Sequence, residues 1–276
     1  MTALQTDLGT VLRRLHAGVR EALAGLFTSH AQEIYGTNPK GDRQRNFDLA
    51  ADTTVRRILE EEFDSGIILS EESQEHYFGR AAPVYRFVVD PVDGSDNWSR
   101  RLPLSSVAVA VLPAEAPIAL DQVIAALTGD LAVEDPLICI RGGPVHCGTD
   151  QIRTASTRRI KDAFVSCELN HFAPTSPLGA LFASARAVRS YGCASRAIAL
   201  VADGSLDAHI DVRERLTPES FLAAATILQE AGGCVVDARG NPLPAFTDLR
   251  QRTTIVAAAT EELGQEIIEA LTNANT

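Results

Sequence analysis

Eight residues, Asp90-Pro91-Val92-Asp93-Gly94-Ser95-Asp96-Asn97, hold the densest set of chemically useful groups in the chain. Two carboxylates stand three residues apart, directly after the apolar run Phe87-Val88-Val89, which reads as a buried strand interrupted at Pro91. A strand that delivers carboxylates onto a glycine-containing turn suits a hard divalent cation, because Mg²⁺ takes oxygen ligands and keeps water and phosphate oxygens in its shell. An ordinary turn is the competing explanation, since Asp, Asn, Ser and Gly dominate turns for conformational reasons alone. A second short apolar run, Ile67-Ile68-Leu69, leads straight into Ser70-Glu71-Glu72-Ser73. Two strands thus end in carboxylates, and the segment between them is short enough for those ends to meet. Glu71 is the better ligand candidate because it follows its strand at once, and Glu72 reads as a surface residue. Asp48 and Asp52, four apart on an expected helix, share one face.

The elements that must position these groups follow from periodicity. Leu4, Leu8, Val11, Leu12, Leu15, Val19, Leu23 and Leu26 recur at helical spacing over 4–27, with His16 placed on the surface. The polar, glycine-bearing stretch 36–47 is either a flap that brings Lys40, Arg43 or Arg45 over an anionic substrate or a solvated connector. Leu49, Val55, Ile58, Leu59 and Phe63 mark a second helix. Trp98–Leu104 reads as a basic turn, Ser105–Leu112 and Val123–Leu127 as strands, Gly129-Asp130 as a hairpin turn and Leu137–Ile140 as a further strand. Beyond it, strands at Ala163–Cys167, Ala187–Ser190 and Leu206–Ile210 alternate with helices at Leu178–Ala185 and Ser195–Ala202, the latter with Ser195 as a possible cap. Thr217-Pro218-Glu219 is a strong helix start, with a hydroxyl before a proline at the first helical position. Strands at Cys234–Val236 and Thr254–Ala258 and a last amphipathic helix complete an α/β layered pattern.

Composition bounds the rest. A chain of 276 residues with 45% hydrophobic and 22% charged content buries a sizeable core as one large domain or two packed halves. A net charge of −11 argues against a sequence-independent nucleic-acid binder but leaves anionic small substrates open, since a bound cation inverts the local field. Five scattered cysteines, none in a Cys-x-x-Cys pair, fit a reducing compartment. With no signal-like start and no apolar stretch of membrane length, the expectation is a cytoplasmic protein with no membrane partner.

Together the motifs resemble those of the inositol monophosphatase-like, Mg²⁺-dependent phosphatases. The Asp90–Asn97 run resembles that family's Asp-Pro-aliphatic-Asp-Gly-(Ser/Thr)-x-Asn signature, and Ser70-Glu71-Glu72-Ser73 its upstream Glu-Glu element. Ala202-Asp203-Gly204-Ser205-Leu206-Asp207-Ala208, followed by a helix ending Glu230-Ala231-Gly232-Gly233, resembles its C-terminal part. The resemblance implies a five-layered α-β-α-β-α sandwich whose N-terminal half (1–150) carries most metal ligands and whose C-terminal half (151–276) completes the substrate pocket. It implies two or three Mg²⁺ ions held by Glu71, Asp90, Asp93 and the Val92 carbonyl, with Asp52 near an additional ion. It implies that Ser95 with Glu71 orients the attacking water, that the amides of Gly94 and Ser95 cradle the phosphate, and that Gly192, Cys193, Ala194 and Asp211 shape the pocket. The implied substrate is a small phosphorylated metabolite, and the implied assembly a homodimer. Phosphate monoester cleavage agrees chemically, because two metals about 3.5–4 Å apart supply an attacking water, charge neutralisation and a stabilised leaving oxygen.

One departure stands out. The family's C-terminal helix opens Trp-Asp, its Asp ligating the second metal and touching the leaving side of the substrate; here those places are Glu219 and Ser220. Three readings follow: Glu219 or Asp211 replaces the missing ligand, the site keeps one firm metal and turns over slowly, or the chain binds a phosphorylated metabolite without hydrolysing it.

Overall fold

The computed structural model describes residues 7–26, 33–41 and 43–273. Seven helices are found among them: α1 Leu8–Ala24, α2 Asn46–Glu62, α3 Ser95–Ser99, α4 Ser176–Ser184, α5 Ala194–Ala202, α6 Pro218–Glu230 and α7 Glu261–Asn273. An eight-stranded sheet runs in the order 150–152, 145–147, 137–140, 125–130, 106–113, 85–93, 65–70, 76–79, and a five-stranded sheet in the order 187–189, 164–167, 208–216, 253–258, 234–236. A two-stranded hairpin, Ile34–Thr37 with Arg43–Arg45, stands apart from both.

The layers follow from which faces are apolar. Helix α1 turns Val11, Leu12, Leu15, Val19 and Leu23 inward, joins α2 through Val55, Ile58 and Leu59, and closes one face of the eight-stranded sheet. Leu4, which the periodicity assigned to α1, lies outside the described residues. Helices α5 and α6 fill the space between the two sheets. A helix held on all sides must be apolar all round, and every residue of α6 from Phe221 to Leu228 is buried. Helices α4 and α7 cover the outer face of the five-stranded sheet. The result is the five-layered α-β-α-β-α sandwich. Each fully buried Leu or Phe in these seams contributes about 1.5–3 kcal/mol of transfer free energy.

Several local expectations need correction. Pro91 does not end its strand: Tyr85–Asp93 continues through it, and the ladder skips from Asp90↔Ala108 to Asp93↔Ser106, so the residue that lacks an N–H sits at an irregularity. Gly129-Asp130 is no turn but the buried end of strand 125–130. A Cβ at Gly129 would lie 2.2 Å from Cδ2 of His16, which is itself not on the surface but 1% exposed, with its Nε2 2.9 Å from the Asp130 carbonyl oxygen. Ser195 does not cap α5; Cys193 occupies the N-cap, and the Ser195 hydroxyl is used elsewhere. Glu72 is buried rather than surface-exposed, its carboxylate accepting a bond from Gln44 Nε2 at 2.7 Å. Of the stretch 36–47, Gly36-Thr37 and Arg43–Arg45 belong to the hairpin strands and Asn46-Phe47 to α2, while Lys40 lies in the turn that the loop reading expected.

Candidate active site

Strands 65–70 and 85–93 run parallel, with Ser70 paired to Val89 and the Glu71 amide bonded to the Val89 carbonyl at 3.1 Å. This parallel register delivers Glu71 and Asp90 to the same end of the sheet. Asp93 follows at the strand's last position, and Gly94, at φ 80°, turns the chain into the short helix α3. A side chain at Gly94 would press a Cβ to 2.9 Å from the Leu104 carbonyl oxygen and 3.0 Å from Cβ of Cys193, so only glycine fits this turn. Asn97 secures it, its amide donating to the carbonyls of Leu104 (2.9 Å) and Tyr191 (2.6 Å) and binding the turn to the loop before α5.

A cavity of about 240 Å³ opens at this junction, where Glu71, Asp93, Gly192, Cys193, Ala194 and Ser220 meet Lys40, Glu168, Asn170, Arg213, Arg215 and Thr217. Asp93 is held firmly: its Oδ2 accepts from the Ser195 amide at 2.7 Å, the Ser195 hydroxyl at 2.6 Å and the Cys193 thiol at 3.3 Å. Burial nevertheless pushes its carboxyl up to about 6, with the Glu71 charge adding to the rise. Asp90 lies behind the cavity wall at 1% exposure. Its Oδ2 receives only a long bond of 3.3 Å from the Ser220 hydroxyl, and its Oδ1 is buried without a partner. Burial, then the charges of Glu71 and Asp93, raises its pKa well above the carboxylate range.

The remaining expected residues fall in distinct surroundings. The Ser95 hydroxyl lies within donating distance of Asp48 Oδ1 (2.9 Å) and of the Val92 carbonyl (2.8 Å), and its single proton serves one of them at a time. Asp52 sits one turn further along α2, accepting from the Ser70 and Ser73 hydroxyls and pairing with Arg56 at 3.1 Å. Asp211 is fully buried and bound by Arg213, whose Nη2 lies 2.7 Å from it. Glu219, 1% exposed, accepts from Thr217 and from the ammonium of Lys40, while its Oε2 is buried without a partner. Lys40 also lies 2.8 Å from Glu71 Oε1. Burial works against the Lys40 charge, but Glu71 and Glu219 outweigh it and hold its pKa above that of an ordinary lysine.

Asp48, Glu168, Asn170, Arg213 and Arg215 were given no role in the site by the sequence, and Ser195 only that of a helix cap. Arg213 and Arg215 follow Asp211 at strand spacing in the sequence, but the ladder is irregular between Asp211 and Leu216, with Glu214 at φ 55°, so that spacing alone does not set which face they share. Nothing in the local sequence announces that Ser195 faces Asp93, because the contact spans 102 positions.

Among the described residues, no three Asp, Glu, His or Cys side chains surround a common point closely enough to hold a metal ion as they stand. The orphaned Asp90 Oδ1 beside Glu71 is nonetheless a fitting place for one hard cation, since a buried anion without a partner is unfavourable until a positive charge joins it. On the side of Ser220 and Glu219 the residues do not fit a second cation, because a neutral hydroxyl and a lysine ammonium stand there.

A sequence model of the inositol monophosphatase family matches residues 5–276. The chain belongs to the inositol monophosphatase family. It is 28% identical over 264 residues to a fructose-1,6-bisphosphatase/inositol-1-monophosphatase of Methanothermobacter thermautotrophicus, covering 94% of each chain. It is 26% identical over 239 residues to the Nus factor SuhB of Salmonella typhimurium, covering 82% of this chain and 84% of that one. The extragenic suppressor protein suhB from Bartonella henselae has the same fold, with a TM-score of 0.81 at 21% identity over 96% of this chain and 98% of that one. The inositol monophosphatase architecture therefore accounts for the parallel strand pair that carries Glu71 and Asp90 and for the five layers around it.

Proposed function

We propose that this chain hydrolyses the phosphate monoester of a small phosphorylated metabolite, an inositol or sugar phosphate, using Mg²⁺ held by Glu71, Asp90, Asp93 and the Val92 carbonyl. The observation that carries the reading is the placement of Glu71, Asp90 and Asp93 at the shared end of two parallel strands, with Asp90 Oδ1 left buried and unpaired inside a phosphatase fold. When bound, the cation supplies neutralisation of phosphate oxygens and a more acidic water. Ser95 would orient that water by accepting its hydrogen bond while donating its own to Asp48 Oδ1, so that a proton leaving the water passes to Ser95 Oγ as the serine proton passes to Asp48. Arg215 gives the cavity positive charge for the phosphate beside Lys40 and Arg213, whose charges are paired with carboxylates, and Glu168 and Asn170 offer acceptors for sugar hydroxyls. Gly192, Cys193 and Ala194 line the same cavity as Glu71, and the amides of Gly94 and Ser95 open α3 beside Asp93. Residues 1–150 supply the carboxylates and 151–276 the substrate wall. We place the protein in the cytoplasm as a homodimer; its five cysteines are free thiols, and no helix among the described residues is long and apolar enough to cross a membrane.

A Mg²⁺-dependent assay on inositol, sugar and nucleotide phosphates, beside Asp93→Asn and Glu71→Gln, tests this. Turnover of at least one phosphate, abolished by both variants, is expected. A wild-type chain that hydrolyses none of them, yet binds one in calorimetry, would establish a second reading as a phosphometabolite binder. That reading draws on Ser220 in the place of the family's aspartate and on a relative named as a Nus factor.

A further inference from the structure

The Lys40 ammonium stands between Glu71 and Glu219, beside the helix start where Ser220 takes the place of the family's second-metal aspartate. We propose that the Lys40 ammonium, rather than a second divalent cation, is the resident positive charge between Glu71 and Glu219. Three acceptors surround Nζ: Glu71 Oε1 at 2.8 Å, Thr217 Oγ1 at 3.2 Å and the nearby Glu219 Oε1. An ammonium has three protons to donate, so this set saturates it. Thr217 donates in turn to the same Glu219 oxygen, fixing the carboxylate that receives the lysine.

The surroundings agree with a permanent arrangement. The Glu219 side chain is 0% exposed and that of Lys40 only 14%, so each charge depends on the other in a setting where water screens neither well. The backbone that carries Lys40 is shaped for the reach. The hairpin tip is tied by the Lys40 amide to Asn38 Oδ1 at 3.1 Å and by the Gly41 amide to the Asn38 carbonyl at 2.9 Å, with Gly41 at φ 94°. The two substitutions in α6 then make joint sense. Ser220 removes the anionic oxygen a second metal needs, and Glu219, one residue earlier, adds an anion where a lysine from the hairpin meets it. A divalent ion at the same point would have to displace the ammonium and find ligands other than Ser220.

This inference rests on the carboxylate cluster being a cation site, as proposed above, but it concerns how many ions bind and not whether turnover follows. The test is a count of Mn²⁺ per chain by equilibrium dialysis and electron paramagnetic resonance, with and without inorganic phosphate, on wild type, Lys40→Met, Lys40→Arg and Lys40→Met/Glu219→Gln. Thermal unfolding of each variant accompanies the count. Wild type and Lys40→Arg should bind one ion. Lys40→Met should gain a second with affinity at least about tenfold above any second binding in wild type, the scale on which changed metal surroundings are felt, and the added Glu219→Gln should remove it. Two ions in wild type, or no gained ion in a folded Lys40→Met, overturns the inference. If Lys40→Met fails to fold, the count on wild type and Lys40→Arg still decides, two ions in either being the overturning result. One ion in wild type with no turnover on any phosphate overturns the phosphatase reading alone, turnover with two ions overturns the lysine assignment alone, and a chain that binds no Mn²⁺ overturns both.

Discussion

The carboxylate within reach of the Ser95 hydroxyl is Asp48, its Oδ1 2.9 Å away, and not Asp52, which lies one turn further along α2. The same Asp48 carboxylate accepts the Arg45 amide at 2.8 Å through its other oxygen, so it is fixed at both ends. If Ser95 relays a proton from water, Asp48 is the group that receives it. Asp48→Asn, which still accepts a bond from the Arg45 amide, should lower kcat by about 10²–10⁴, the range for a positioned base. It should leave Mg²⁺ binding unchanged. Asp52→Asn should act on stability, by about 1–3 kcal/mol through the loosened Ser70 and Arg56 partners, with kcat nearly intact. Steady-state kinetics beside thermal unfolding separate the two, and the reverse pattern would return the base to Asp52.

Asp90 is a buried carboxylate whose nearest formal neighbours are other carboxylates. Asp90→Asn should therefore raise the melting temperature of the metal-free protein, because it removes an anion that burial, Glu71 and Asp93 all oppose. It should also abolish stabilisation by Mg²⁺. For wild type at one hundred times its dissociation constant, Mg²⁺ should add about 2.7 kcal/mol, or roughly 5–10 °C at about 2–4 °C per kcal/mol for chains of this size. A metal-free Asp90→Asn protein that melts below wild type would show that Asp90 is held by partners rather than waiting for a cation.

Which parts of this were legible in sequence follows physical lines. Strands 65–70 and 85–93 were legible because apolar runs of β-branched residues with polar ends have few alternatives, and their common end followed from the short segment between them. Helix α6 was legible from its Thr-Pro start and its double-glycine stop. The burial of His16 was not, because it depends on a glycine 113 positions away that leaves room for the ring. The Lys40 contact was not, because a lysine in a polar loop and a glutamate in a helix start give no local sign of each other over 179 positions. Between Asp48 and Asp52 the helical period shows only a shared face; which of them meets Ser95 is set by how α2 sits against the strand end.

His16 and His209 give a pH prediction. Both are 1% exposed, and burial lowers the pKa of each below the ordinary histidine value. The unfolded chain, with histidine pKa values near about 6.5, then binds more protons than the folded one in acid, so their contribution to stability rises with pH up to about 6.5 and falls below it. Glu72 works oppositely: burial and the charges of Asp48 and Glu71 raise its pKa to about 8, so its contribution is lost as pH rises toward that value. The histidine part is isolated by difference. The stability gap between wild type and His16→Gln should be larger at pH 7.5 than at pH 5.5, with a slope between them of at most about 1.4 kcal/mol per pH unit. A pH-independent gap in urea unfolding would mean that His16 is charged in the folded state or does not titrate there.

The cation-lined space beside the candidate active-site cavity predicts a substrate preference. A cavity of about 520 Å³ is bounded by Pro39, Lys40, Arg215, Thr217, Arg250 and Arg252, and it shares Lys40, Arg215 and Thr217 with the smaller cavity that holds Glu71 and Asp93. Its wall contains four cations and no carboxylate. Among the described residues no ion pair engages the side chains of Arg215, Arg250 or Arg252, so their charge is available to a ligand. A sugar bearing a second phosphate would place that group here while its first phosphate faces Asp93. Each charge-assisted bond is worth about 1.5–3 kcal/mol, which is about ten- to a hundredfold in affinity. The double variant Arg250→Ala/Arg252→Ala should therefore raise KM for a sugar bisphosphate by at least about tenfold, with kcat little changed, and should alter KM for a sugar monophosphate by less than about twofold. Added salt should weaken wild-type binding of the bisphosphate more steeply than that of the monophosphate, since these arginines are solvent-exposed and screened. Equal losses on both substrates would assign the arginines to general attraction of anions, and no loss on either would leave the space outside the path of the substrate.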